Sequence, residues 1–178
     1  MKHSSVSLEK ESVVLSDPTV MPNAIAYLWN KSALLTMNCR GYASAQFMQP
    51  EPATYACGPS LEQTTFFQPE KPYHSQHPGR FFYIHDRGND ELYSLPFAPC
   101  NRQPNLFKFI VSKTVLRWVI EYGDLQFSIS VELADKQPIE YWRCSVTNIG
   151  TENRSISIYS YFTVGFIKNC ILNLFYLR

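Results

Sequence analysis

Six polar side chains set in apolar surroundings are where this chain could contact a ligand: Arg40, Gln49, Glu51, Gln68, Glu70 and Arg80. Four of them belong to a phrase that occurs twice, nineteen residues apart. The copies are Phe47-Met48-Gln49-Pro50-Glu51 and Phe66-Phe67-Gln68-Pro69-Glu70. Amides, carboxylates and guanidinium groups all hydrogen-bond sugar hydroxyls, and they also build charged interfaces. The same groups can instead satisfy backbone in a proline-rich loop, with Glu51 or Glu70 paired to Arg40 or Arg80. Irregular buried chain has many carbonyls in need of partners, which favours that structural role. Glu51 and Glu70 would also supply the two carboxyl groups of a glycosidase, a role that depends on their separation in space.

Aromatic and imidazole side chains give a second set of candidates. Trp29, Trp118 and Trp142 can stack on sugar rings; the alternation around Trp118 assigns it to the core, leaving Trp29 and Trp142 as candidates for ligand contact. His74 and His77 are three apart, but Pro72 and Pro78 flank them and make a shared helical face untenable. With His85 they read as histidines making ordinary hydrogen bonds rather than as metal ligands, since no cysteine stands at ligand spacing. The sequence has no glycine-rich phosphate loop, no GxSxG and no Cys–His nucleophile pair. No catalytic residue, metal or cofactor is expected.

These residues must be positioned by strands. Proline restrains its own φ and pushes the residue before it into extended conformations, so each copy of the doubled phrase reads as the end of a strand. Nine of the twelve prolines fall between Pro50 and Pro104, which predicts ordered but irregular chain there. Residues 25–35 read as a strand or a short helical turn; periodicity leaves both open. Residues 79–85 read as a strand, 86–90 as a turn and 91–95 as the return strand.

The clearest pattern lies in 115–133. Gly123-Asp124 is a two-residue hairpin loop. Counting outward, Tyr122 faces Leu125, Ile120 faces Phe127, Trp118 faces Ile129 and Leu116 faces Val131. A slip of one residue would oppose apolar to polar, so this register is well specified. Residues 139–147 and 154–164 read as a second hairpin, with an odd loop pairing Val146 with Ile156 and Cys144 with Ile158. The fold class that follows is all-β, an antiparallel β-sandwich carrying an irregular proline-rich segment.

At 178 residues the chain is one domain's worth, able to bury roughly 70% of its unfolded surface. A formal charge of +1 without a Lys/Arg block argues against nucleic acid. Five widely spaced cysteines with no CxxC pair argue against a disulfide framework. Residues 1–20 are polar and read as a loose leader without the apolar run of a signal peptide. Residues 161–177 are apolar but interrupted by Lys168, Asn169 and Asn173, and are too short for a comfortable membrane span. A cytoplasmic setting without membrane contact is expected.

Residues from about 21 to 165 resemble the N-terminal domain of the cellobiose-phosphorylase-type inverting glycoside phosphorylases, glycoside hydrolase family 94, formerly glycosyltransferase family 36. The strings that carry the resemblance are YLWNK, MNCRGYA, AQFMQPEP, the second FQPE, HPGRFFY and VTN followed by RSISIYSYF. The resemblance implies a super-sandwich of galactose-mutarotase-like type over 21–166, followed in such proteins by a linker and an (α/α)6 barrel. That barrel carries the catalytic Asp and the phosphate site. A phosphorylase uses phosphate as its nucleophile, so one protein carboxylic acid suffices where an inverting hydrolase needs two. The expectation is therefore a non-catalytic domain of a truncated or frameshifted product, or of a fragment, with 167–178 as an atypical tail. Its implied partners are an oligosaccharide or β-glucoside, and a catalytic barrel or homodimer partner. A stand-alone carbohydrate-binding sandwich and a glycosidase using the motif carboxylates are the alternatives.

Overall fold

A computed structural model describes residues 6–9, 11–21, 24–48, 57–60 and 79–162. The described regular structure consists of strands: β1 (Val6–Glu9), β2 (Ser12–Leu15), β3 (Ile25–Trp29), β4 (Ala33–Asn38), β5 (Ala43–Met48), β6 (Cys57–Ser60), β7 (Arg80–Asp86), β8 (Glu91–Leu95), β9 (Leu106–Val111), β10 (Val115–Tyr122), β11 (Leu125–Leu133), β12 (Glu140–Asn148) and β13 (Ile156–Phe162). They form a six-stranded sheet in the order β1-β2-β9-β10-β11-β12, a four-stranded sheet β3-β4-β5-β6 and a three-stranded sheet β13-β7-β8. Pairings within the sheets are antiparallel.

The centre of the large sheet is the β10–β11 hairpin, and its register is the one that alternation predicts. Tyr122 pairs with Leu125, Ile120 with Phe127, Trp118 with Ile129 and Leu116 with Val131. All eight side chains are buried. Phe107 and Phe109 of β9 extend the same face, and Trp142, Cys144 and Val146 of β12 pack half-buried against it. Both smaller sheets close over this face: Leu28, Leu35, Met37, Ile84, Tyr93 and Leu95 share one apolar core with it.

The two smaller sheets meet where backbone must approach backbone. Tyr42 and Gly79 form an antiparallel bridge, and the Arg80 N–H donates to the Gly41 carbonyl at 3.1 Å. A Cβ on Gly79 would stand 2.3 Å from the Phe81 ring, and one on Gly41, whose φ is +103°, would stand 2.7 Å from Pro96. Only glycine fits either place. The Cys39–Gly41 turn is held from beneath by the Trp118 indole N–H, which donates to the Cys39 carbonyl at 2.8 Å. It is held from the side by the Ala98 N–H donating to Arg40 O.

Two expectations are corrected. Residues 6–15 are not a loose leader: β1 and β2 form a hairpin, β2 pairs with β9, and Val14 and Leu15 are buried. The short apolar run Val13-Val14-Leu15 adds two core residues to the sheet, which a reading weighted by polar composition overlooks. Residues 139–147 and 154–164 do not form a hairpin with each other. β12 pairs with β11, setting Val146 against Phe127 and Cys144 against Ile129, and β13 pairs with β7 in the other layer. The Asp86–Arg154 ion pair and the Arg87 N–H donating to Ser155 O draw the chain across. Both strands do exist as strands. Their partners are set by contacts distant in sequence.

The strand 80–86, its turn and its return to Leu95 match expectation, and β5 runs to Met48 inside the first copy of the doubled phrase, the rest of which lies outside the described residues. The second copy and the 167–178 tail lie outside the described residues, and most of the proline-rich segment does too. Residues 25–35, left open between strand and helix, lie in β3 and β4, a hairpin.

Candidate functional site

Of the polar candidates, Arg40 and Arg80 lie among the described residues; Gln49, Glu51, Gln68 and Glu70 lie outside them. Arg40 is half-buried, donates from Nε to the Pro18 carbonyl at 3.0 Å and lies over the Phe97 ring, 5.4 Å from its centroid. It ties the chain before β3 to the loop after β8. Arg80 makes a bidentate pair with Glu140, Nε to Oε2 at 3.0 Å and Nη2 to Oε1 at 2.9 Å. Glu140 Oε2 also accepts from the Trp142 indole N–H at 2.9 Å. Arg80, Glu140 and Trp142 are thus one charge-assisted network tying β7 to β12. Glu140 was not legible as a partner, since β7 and β12 lie sixty residues apart and belong to different layers.

Trp142 is a packing residue in this arrangement. Its ring stacks on Trp118, centroids 6.4 Å apart and planes within 17°, and approaches Phe82 at 6.4 Å. Trp118 stacks in turn on Phe109 at 4.7 Å and is fully buried, as its place on the apolar face of the hairpin requires.

Trp29 is different. It is 69% exposed, at the end of β3, which is an edge strand of its sheet among the described residues. In β3 the small Ala26 and the slender Leu28 point into the core, and Ile25, Tyr27 and Trp29 point out. A two-residue period predicts such a split without saying which half is buried. Beside Trp29 lie two adjoining clefts of about 470 and 430 Å³. The first lies among the turns after β3, β9 and β11. Those turns are fixed to each other: the Asn30 side-chain amide donates to Ala134 O at 2.6 Å and Gln137 O at 2.8 Å, and Ser32 Oγ donates to Lys136 O at 2.6 Å. The second lies between the β1–β2 hairpin and the outer face of β3.

Asp86 and two of the cysteines are built into the fold. Asp86 is buried, which pushes its carboxyl up. The hydrogen bond from Arg154, the Gly88 N–H and the Arg154 charge outweigh that and hold it below the usual range. Cys39, Cys100 and Cys144 are free thiols; burial pushes Cys39 and Cys144 up to about 11, so neither is a nucleophile near neutral pH. His85 lies in β7 with Nε2 2.9 Å from Asp90 Oδ1. His74 and His77 lie outside the described residues. Among the described residues no group of three or more His, Cys, Asp or Glu side chains is placed to hold a metal, and no helix is long and apolar enough to cross a membrane.

The domain described as "Glycosyl hydrolase 94, supersandwich domain" matches residues 67–169, more than half of the chain. This chain belongs to that family. The supersandwich assignment agrees with the all-strand antiparallel architecture and with the family resemblance of the glycine-bearing strings around Gly41 and Gly79. A relative from Neurospora crassa, a cellobionic acid phosphorylase, is 40% identical over 158 residues. That match covers 89% of this chain and 20% of the relative, so the chain spans about a fifth of that protein's length.

Proposed function

We propose that this chain is the non-catalytic supersandwich part of a glycoside phosphorylase of carbohydrate metabolism, acting in the cytoplasm. It contributes oligosaccharide or β-glucoside contacts and a docking face for a catalytic (α/α)6 barrel or a dimer partner. The phosphorylase named among its relatives supports the substrate class. The catalytic acid and the phosphate site belong, on this reading, to the barrel.

The observation that carries the docking role is β13. Its sequence, ISIYSYF, has no charge, and its second edge is open among the described residues. Ile158 pairs with Ile84 and so shares the inward face of the sheet, yet it is 42% exposed. Tyr159, Tyr161 and Phe162 are 56%, 45% and 62% exposed. A strand with apolar side chains exposed on both faces and no guarding charge is suited to being covered.

An apolar-surface dye such as anilinonaphthalene sulfonate tests this on the folded chain. The chain binds the dye, and replacing Tyr161 and Phe162 by Lys lowers the signal with the far-UV spectrum unchanged. A strictly monomeric chain that leaves the dye dark would refute the docking face.

A further inference from the structure

Resting on the carbohydrate-binding reading above, we infer that the groove around Trp29 is the sugar-binding surface of this domain, with Trp29 and Tyr27 as its stacking platforms. Both rings project from the outer face of β3, two residues apart, a spacing of roughly 7 Å along the strand. Trp29 and Tyr27 leave about 69% and 52% of their surface to water and stand side by side, a contiguous apolar patch with a polar rim of the kind that marks a ligand-binding groove. The faces of a β-linked glucopyranose carry axial C–H groups and no hydroxyl, so they pack on aromatic rings while the equatorial hydroxyls reach sideways for polar partners.

The rim supplies those partners. Lys31 and Asp135 border the first cleft, Glu11 and Ser12 the second, and Lys113 borders both. Two ammonium groups and two carboxylates leave the rim without net charge. A nucleic acid or another polyanion would require a surplus of cations there. A neutral polyol requires donors and acceptors of both kinds beside an apolar floor. The clefts meet at Trp29, so an extended oligosaccharide can run across the ring from one to the other. The hydrogen bonds that fix the Asn30–Ser32 turn to residues 134–137 hold the first cleft in shape before any ligand arrives.

The experiment is calorimetric titration of the chain with soluble cello-oligosaccharides, with tryptophan fluorescence read in parallel. Trp29 is the exposed tryptophan, Trp118 being buried and Trp142 half-buried, so binding shifts the emission to the blue. Trp29→Ala abolishes that shift and weakens binding by about tenfold or more. Tyr27→Ala weakens it a few-fold, and Leu92→Ser, exposed on a different sheet, leaves it unchanged. Unaltered affinity in Trp29→Ala would place the sugar elsewhere, overturning this inference while leaving the carbohydrate reading standing. No binding by the unmodified chain would overturn that reading and this inference together.

Discussion

Replacing Trp118 by Phe tests whether the two layers are joined through the Cys39–Gly41 turn. Trp118 is fully buried, lies between Phe109 and Trp142, and donates its indole N–H to Cys39 O at 2.8 Å. Phe keeps an aromatic ring in place but is smaller and cannot donate. The Cys39 carbonyl loses this donor in a buried place, at a cost of about 1–3 kcal/mol. The lost ring volume adds about 1–2 kcal/mol of transfer and cavity terms. Against a total stability of about 5–15 kcal/mol, that is a large fraction. The melting temperature should fall by roughly 5–15 °C for a chain of this size. Urea unfolding followed by far-UV circular dichroism reads the change, with the slope preserved if only stability is altered. Trp142→Phe, at a half-buried site, should cost less. A Trp118→Phe variant within about 0.5 kcal/mol of the parent would mean that this hydrogen bond and stack do not hold the layers together.

Acid unfolding should report the Asp86–Arg154 pair. The folded-state carboxyl is held below its ordinary range, so the stability it contributes is present above the unfolded-state value near 3.8 and is lost as pH falls through the lower folded value. Asp86→Asn should lower stability at neutral pH and flatten the dependence below pH 4; an unchanged acid limb would contradict the assignment. Alkylation with iodoacetamide at pH 8, mapped by mass spectrometry, should label exposed Cys100 and spare Cys39 and Cys144, whose buried thiols stay protonated until about pH 11. Equal labelling of all three would contradict the described packing.

Local pattern carried much of this fold. The β10–β11 register follows from four apolar pairs counted outward from Gly123-Asp124, because a two-residue loop and a two-residue period leave no freedom. Two of the strings that carry the family resemblance, MNCRGYA and HPGRFFY, hold Gly41 and Gly79, which are required where the two smaller sheets touch. What local pattern could not supply was long-range partnership. β12 and β13 are adjacent in sequence and each alternates well, but they are separated by an ion pair to Asp86, sixty-eight residues before Arg154. The same limit governed the site. Arg80 stands out in the sequence for its apolar context, but its partner Glu140 lies sixty residues further on and in another sheet. Trp29 and Trp142 looked alike as candidates; the structure separates them, because one is committed to Glu140 and Trp118 while the other faces solvent. Tyr27 does not stand out in the sequence, because the outward half of an alternating strand becomes visible only once its sheet is placed.

The chain belongs to the supersandwich family, and the central proposal is that it does not itself carry out phosphorolysis. Its most direct test is to incubate the purified chain with cellobiose or cellobionic acid and inorganic phosphate and to assay for released glucose 1-phosphate. The account predicts no release above that of a blank without protein. Sustained turnover proportional to the concentration of this chain would contradict it.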